Sequence, residues 1–306
     1  MSVKSMKPIY FGIFLISISS LLLQITLTRV FSISQYYHFA FMVVSIAFLG
    51  LGASGTFLAI KKSLLEKNLS KLLTVVAFLY AVSIPVSFLI TQRIPFDPYR
   101  VTWDTNQLLY IGLYYTLLST PFFLSGLCIG LVMVKMVERV DRIYFFNLLG
   151  SGLGALLIVG LSLIYTGPAV IVSASLLGLL SSVSFSIGCS KRIPAVLILT
   201  TIVAVFSMPY VGGGLDISIS PYKALSRELN YPNATIIATE WNPTSRVDVI
   251  SSKGIRYAPG LSTEYRGVLP SQLGVTIDGN SLNAITEFRG NLTEIRFIDY
   301  TPSSAP

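Results

Sequence analysis

Two ionisable side chains lie where the sequence is otherwise almost entirely apolar, and they are the first candidates for chemistry. Arg29 ends one long apolar stretch, and His38, the single histidine of the chain, begins the next. Because ionisable groups at membrane depth often serve function, Arg29 and His38 form a candidate intramembrane polar site. The alternative is anchoring, with Tyr36 and Tyr37 in an aromatic belt at the membrane surface and Arg29 extended towards lipid headgroups.

A glycine pattern in the second apolar stretch suggests nucleotide binding. Gly50, Gly52 and Gly55 spell GxGxxG, the letters of the dinucleotide-binding fingerprint. That fingerprint requires a strand before it and a helix that opens after it, whereas here it lies inside the uninterrupted apolar segment 36–60. We therefore reject the nucleotide interpretation. The sequence predicts no metal site, and after Val211 no carboxylate pair is placed for chemistry.

The composition is that of an integral membrane protein. Of 306 residues, 53% are hydrophobic and 12% are charged, whereas soluble domains carry about 25% charged residues. The formal net charge is +8, but the excess is confined to one part of the chain. Residues 1–211 hold 14 Lys and Arg against 5 Asp and Glu, and residues 212–306 hold 8 against 9. The positive charge therefore lies between apolar segments, where it sets membrane orientation, and no nucleic-acid partner is predicted.

Seven apolar segments are long enough to cross a bilayer, because about 20 helical residues span a hydrocarbon core of about 30 Å. They are 8–28, 38–60, 72–90, 108–134, 144–165, 168–187 and 193–211. The first follows Lys4 and Lys7 and has no obvious cleavage site, so it is predicted to be a retained span. The sequence thus predicts an all-α polytopic membrane helix bundle over residues 1–211 with the lipid bilayer as its partner.

Basic residues in the loops predict a multi-pass protein of the cell membrane with a cytoplasmic N-terminus. Eleven Lys and Arg lie on the N-terminal side of the predicted spans, and three, Arg29, Arg93 and Arg100, lie on the other. In short loops the side with more Lys and Arg is the cytoplasmic one. Seven spans would place everything after Val211 on the opposite side.

Small residues recur four positions apart within the apolar segments. The pairs are Gly50 and Ser54, Gly52 and Thr56, Gly55 and Ala59, Gly126 and Gly130, and Gly150 and Gly154. In lipid, apolar side chains gain little by leaving the solvent, so close backbone contact drives helix association. The pairs predict a tightly packed bundle, and Asn147 is predicted to make a hydrogen bond between helices.

After Val211 the sequence becomes typical of a water-soluble segment. Three glycines and the stretch PYKALSREL predict a linker with a short helix over residues 212–232. ATIIAT, SRVDVIS and LGVTID are typical of strands, the last entering a turn at Gly279 and Asn280, and FIDY of a further short strand or a helix start. Residues 233–306 are therefore predicted to form a small β-rich module.

Six stretches, taken in order, carry a resemblance to a known family. They are YYHFAFMVVSIAFLGLGASG, SPYKALSREL, EWNPTSRVDVI, RYAPGLS, LPSQLGVTIDGN and FIDYTPSSAP. Together they resemble the membrane-embedded spermidine-synthase-like proteins of bacteria and archaea. In that family a multi-span N-terminal region is followed by a small β domain and then by a Rossmann-like domain of the aminopropyltransferase and methyltransferase type.

The resemblance implies a catalytic half that this sequence lacks. In the family, a segment like TPSSAP is followed by a strand and a glycine-rich loop that binds S-adenosylmethionine or its decarboxylated form. The chain would then bind no cofactor itself and would depend on a Rossmann-like domain supplied in cis or in trans, as a fragment or a natural truncation. Such cofactors are cytosolic, which conflicts with seven spans and leaves the side of the module open.

The resemblance also implies substrate-binding positions in the module. Soluble spermidine synthases resemble it at a Trp, an Arg and an Asp-Gly turn, which correspond to Trp241, Arg246 and Asp278. Asn280 stands where the family has Gln, and the Tyr-His-Glu of the family is matched by residues 297–299, Phe-Ile-Asp. Two polyamine-facing residue types are therefore absent. The alternative for Trp241 and Arg246 is packing within the module, and the turn alone suffices to explain Asp278.

Three functions follow from these observations. The first is the membrane-anchoring part of a spermidine-synthase-like transferase, which is not catalytic alone. The second is a small-solute transporter or binding protein, for which Pro85 and Pro121 could break two spans. The third is a scaffold that only positions a partner domain. Self-association into a homo-oligomer is compatible with all three.

Overall fold

A computed structural model describes residues 6–187, 189, 197, 200 and 217–302. The chain divides into two compact units, Met1–Ser32 with Tyr36–Ser218, and Ile33–Gln35 with Ile219–Pro306. The division at Ser218 falls inside the predicted linker. The first unit is helical, and the second contains a small antiparallel sheet.

Six helices form the described part of the first unit, and each is long and apolar enough to cross a membrane. They are α1 (Lys7–Ser34), α2 (His38–Ile60), α3 (Leu69–Thr91), α4 (Asn106–Lys135), α5 (Val140–Leu161) and α6 (Gly167–Ser186). The first six predicted segments are thus confirmed as helices. The seventh, 193–211, lies outside the described residues except for Leu197 and Thr200.

Two prolines lie inside long helices without ending them. α3 continues through Pro85 and α4 through Pro121. Proline removes one helical hydrogen bond, but neighbouring helices and hydroxyl side chains compensate for that loss in apolar surroundings. The two prolines, which could have interrupted the third and fourth segments, therefore do not break these helices.

The helices expose many large apolar residues, and α5 shows this clearly. In α5 the buried positions are Ile143, Gly150, Gly154 and Ile158, a single narrow stripe. On the opposite side Leu156 is 70% exposed. A helix of a water-soluble protein shows the reverse pattern, with its large apolar residues turned inwards. The pattern observed in α5 is the one expected where hydrocarbon surrounds the bundle.

Glycines bring pairs of helix backbones into direct contact. A Cβ placed on Gly154 would lie 2.5 Å from the Ile18 carbonyl oxygen of α1, and one on Gly50 would lie 2.5 Å from the Ser119 carbonyl oxygen of α4. The predicted close packing is confirmed at these positions. The prediction of close packing is wrong for Gly52 and Gly55, where a Cβ would meet nothing within 4 Å.

Serine hydroxyls of α6 bind backbone carbonyls of α1 and α3. Ser181 donates to the Gly12 carbonyl oxygen at 2.9 Å, and Ser184 to that of Pro8 at 2.7 Å. Ser175 and Ser182 donate to carbonyl oxygens of α3 at 2.7 and 2.8 Å. These bonds satisfy hydroxyl groups that would otherwise lie unpaired in an apolar interior.

The second unit contains one short helix and a four-stranded meander. They are α7 (Ala224–Leu229), β1 (Thr235–Trp241), β2 (Arg246–Ser251), β3 (Gln272–Ile277) and β4 (Asn280–Thr286). The strands are antiparallel in the order β1-β2-β3-β4, and a 3-10 helix spans Leu292–Tyr300. The predicted short helix and strands are confirmed, and FIDY belongs to the 3-10 helix.

A two-residue turn joins β3 to β4. Asp278 and Gly279 both have positive φ, 52° and 68°, as a type I′ turn requires at its two central positions. Asp-Gly is a favoured pair for this turn, because glycine has no Cβ penalty and aspartate tolerates the left-handed region. The turn begins one residue earlier than predicted, so Asn280 is the first residue of β4.

The α1–α5 contact predicts how the bundle responds to added volume. Replacing Gly154 by Ala places a methyl group against the α1 backbone, which cannot move aside, so we expect a loss of about 1–3 kcal/mol and a lower apparent unfolding temperature in detergent. Gly152→Ala is the matched control, because a Cβ there meets nothing within 4 Å. Equal unfolding temperatures for the two variants would contradict the packing of α5 on α1.

Candidate functional site

Three of the four residues predicted to bind substrate lie together at one end of the sheet. Trp241 and Arg246 are directly opposed on β1 and β2. The Asp278 side chain accepts a hydrogen bond from the Arg246 backbone N–H at 2.8 Å. The fourth, Asn280, is exposed at the start of β4 and pairs with Ile277.

The Arg246 guanidinium is held between a carboxylate and an aromatic ring. Its Nε and Nη2 atoms both donate to Oδ1 of Asp248, at 3.0 and 2.8 Å. Its Cζ atom lies 5.6 Å from the centroid of the Trp241 ring, within cation–π range. Only 13% of the Arg246 side chain is exposed, and the Asp248 side chain is fully buried. The ion pair is therefore an internal one.

Asp248 is the residue of this cluster that motif comparison missed. Its Oδ1 atom also accepts a hydrogen bond from the Thr239 hydroxyl at 2.7 Å, so three donors converge on one oxygen. Strand alternation could have revealed it, because in RVDVIS the aspartate shares a face with Ile250, whereas Val247 and Val249 lie on the other. An acidic residue in phase with a buried Ile predicts a buried carboxylate.

Two polar atoms beside this ion pair have no hydrogen-bond partner within the described residues. They are Oδ2 of Asp248 and the hydroxyl oxygen of Thr276, and both residues are fully buried. Asp248 and Thr276 are directly opposed on β2 and β3. The sheet therefore buries a carboxylate and a hydroxyl at its centre, at a cost that the Arg246 contacts offset.

Lys223 and Leu225 attach the start of α7 to the β3–β4 turn. The Lys223 ammonium donates to the Asp278 carbonyl oxygen at 2.7 Å, and the Leu225 N–H to that of Gly279 at 3.0 Å. Lys223 is 3% exposed. Burial lowers the pKa of Lys223 to about 8, although the nearby Asp278 charge opposes this shift. The turn is thus fixed by the helix as well as by Arg246.

The geometry of this cluster favours the packing alternative for Trp241 and Arg246. The guanidinium, the carboxylate and the ring bind one another, and Asp278 binds the backbone of β2. A substrate would have to displace these internal contacts before it could use the same groups. The cluster therefore stabilises the end of the sheet.

His38 lies in an aromatic cluster at the start of α2. Its ring is stacked on Tyr36, with centroids 5.8 Å apart, and lies 4.3 Å from Tyr37 and 6.4 Å from Phe39. Arg29, half-buried near the end of α1, is not among the described contacts of His38. This arrangement is the one expected of an aromatic belt.

Asn147 makes the interhelical hydrogen bond that the sequence predicts. Its Oδ1 atom lies 2.8 Å from the Ser17 hydroxyl of α1. Within the described ranges, no three His, Cys, Asp or Glu side chains are grouped as a metal site requires.

Comparison with protein-family models, with curated proteins and with solved structures finds no match to this chain. The resemblance to spermidine-synthase-like proteins therefore stays a prediction from the sequence motifs. The fold of each unit is established by its own geometry.

The buried ion pair predicts that replacing Arg246 destabilises the second unit much more than replacing Arg289 does. Arg246→Ala leaves the buried Asp248 carboxylate without its charge partner, and we expect a loss of about 3 kcal/mol from the second unit. Urea unfolding followed by Trp241 fluorescence in a Trp103→Phe background measures this loss. The matched control is Arg289→Ala, which removes an exposed pair with Glu287 and should leave the midpoint almost unchanged. Equal midpoints for both variants would contradict a structural role of Arg246.

The lowered pKa of Lys223 predicts that the free energy of unfolding depends on pH. Folded Lys223 loses its proton near pH 8 rather than near 10.5, so between these values the unfolded chain binds more protons. Stability therefore rises with pH across this window. We expect the free energy of unfolding of the wild type to increase, relative to Lys223→Met, from pH 8 to pH 10.5. Lys253→Met, which changes an exposed lysine of the same unit, is the control and should follow the wild type. Parallel profiles for wild type and Lys223→Met would refute this prediction.

Proposed function

We propose that this chain is the membrane-anchoring, non-catalytic part of a spermidine-synthase-like protein. The transferase activity would belong to the aminopropyl or S-adenosylmethionine-dependent type and would reside in a Rossmann-like domain in cis or in trans. The proposal is supported by six sequence stretches in family order. It is also supported by the succession of a helical unit and a small β meander along the chain.

The distribution of side chains in the helical unit supports membrane anchoring. Its helices form a buried core and also expose many large apolar residues, including Phe41, Phe48 and Leu156. A surface of that kind would aggregate in water, because large contiguous apolar patches drive association. In a bilayer the same surface contacts hydrocarbon at no cost.

One observation on the sheet carries the proposal of a partner domain. β2 and β3 place Asp248, Ile250, Gln272 and Thr276 on the buried face, and their valines with Leu273 on the face that is more open. Ile285 of β4 lies beside Leu273 and is 55% exposed. An apolar sheet face of this kind is normally covered. The Rossmann-like domain that the family resemblance implies would cover it.

The same arrangement supports the view that this chain does not catalyse transfer alone. The residues that correspond to the family's substrate-binding positions are engaged in internal contacts, and the cofactor would come from the partner domain. The alternative function, small-solute transport, has less support, because transporters commonly have broken helices and α3 and α4 are continuous through Pro85 and Pro121.

A test of the proposal has two separate readouts in native cells. The first is an alkaline carbonate wash, after which the chain should remain in the membrane pellet. The second is a photoreactive residue in place of Val249 on the open sheet face. We expect it to cross-link to a Rossmann-like domain, recognised by its glycine-rich loop peptide, whereas the same probe at the exposed Glu264 should not. Cross-linking of Val249 only to lipid, or aminopropyl or methyl transfer by the purified chain alone, would overturn the proposal.

A further inference from the structure

We infer that the helical unit binds an uncharged, hydrogen-bonding amphiphile in a groove between α1, α2, α4 and α5. The groove has a volume of about 390 Å³, within the range of about 300–1,000 Å³ typical of ligand sites. Its polar lining comes from Ser17, Ser20, Gln24, Ser54, Asn147 and Ser151. The inference rests on the membrane part of the proposed function, which the carbonate wash tests separately.

Polar groups in the groove retain unused hydrogen-bonding capacity. The Gln24 side chain makes no hydrogen bond to the described residues, and neither does the Ser151 hydroxyl. Asn147 uses one of its two amide atoms, at the Ser17 hydroxyl, and Ser17 also lies 2.8 Å from the Ile13 carbonyl oxygen. Because a hydroxyl carries a single proton, Ser17 donates to only one of them. Donors and acceptors of two amides and a hydroxyl are thus available to an occupant.

The depth of these groups favours an occupant. Residues 17–24 lie in the middle of α1 (Lys7–Ser34), and 147–151 in the middle of α5 (Val140–Leu161). In a bilayer these positions are level with hydrocarbon, where each unsatisfied polar group costs several kcal/mol. The α6 serines, by contrast, are all bonded to backbone carbonyl oxygens. Within the described residues, pairing is incomplete in the groove at Gln24 and Ser151.

The lining identifies the chemical class of the occupant. No Asp, Glu, Lys, Arg or His lines the groove, so nothing there neutralises a charged ligand, and a charge would be strongly disfavoured at this depth. Leu21, Leu51, Ile129 and Met133 form its apolar part. Gly55, also in the lining, is exposed on α2 and a Cβ there would meet nothing within 4 Å. The groove therefore opens sideways, and a hydroxyl- or amide-bearing lipid could enter from the bilayer.

Thermal unfolding in detergent tests the inference with a defined probe. We expect 1-monooleoylglycerol, an uncharged lipid with two free hydroxyls, to raise the apparent unfolding temperature of the wild type in a concentration-dependent way. Methyl oleate, which has the same chain without a hydroxyl donor, should have no comparable effect. Gln24→Leu and Asn147→Leu should abolish the shift. Gly152→Ala, on the open side of α5, should retain it.

Chemical labelling of the groove tests the inference even if a leucine variant fails to fold. In a background without Cys128 and Cys189, Ser151→Cys is treated with an uncharged maleimide in membranes. Monooleoylglycerol should slow this labelling several-fold and methyl oleate should not, and Gly152→Cys should show no protection. Equal shifts with both lipids, a shift retained in Gln24→Leu, or unprotected labelling would overturn the inference. Covalent Ser151→Cys dimers would also overturn it, because a second copy of the chain would then cover the groove.

Discussion

Close contact between helix backbones, which small side chains allow, governs the architecture of the first unit. Gly150 and Gly154 bring α5 onto the backbone of α1, and the α6 serines donate to carbonyl oxygens of α1 and α3. Contact of this kind depends on small side chains, since a larger group would separate the backbones and leave hydroxyls unpaired. The outer surface is then free to be apolar, because it contributes little to holding the helices together.

The second unit is stabilised differently, because its sheet is small and the buried face of that sheet is partly polar. Asp248, Gln272 and Thr276 lie inwards, and the ion pair with Arg246 compensates for the buried carboxylate. The β3–β4 turn joins this network through Asp278, and Lys223 fixes it from the helix side. The residues that resemble a substrate site are therefore the ones that hold the sheet end together. Val247, Val249 and Leu273 lie on the opposite, more open face of the sheet.

The apolar surface of the helices and the more open face of the sheet favour the same proposed function. The exposed apolar surface of the helices is compatible with a bilayer, and the half-buried valines of β2 and β3 lie on the more open face of the sheet. An anchor that presents a module to a catalytic partner accounts for both. The polar groove adds a property that anchoring does not require, since the Gln24 side chain makes no hydrogen bond to the described residues.

Hydrophobic periodicity and composition by themselves determined six long helices, a short helix and three of the four strands, because each depends on residues adjacent along the chain. They did not predict β4, in which polar and apolar residues alternate only weakly. The interhelical bond of Asn147 was also predictable, since a lone amide in an apolar helix needs a partner. Only the tertiary structure decided which glycines make contact. Gly50 and Gly52 both lie between apolar residues in the sequence, but Gly50 faces α4 and Gly52 faces outwards. The tertiary structure also decided which groups contact Arg246, that Asp248 points inwards and that Gln24 lacks a hydrogen bond to the described residues. Each of these depends on contacts between residues far apart in sequence.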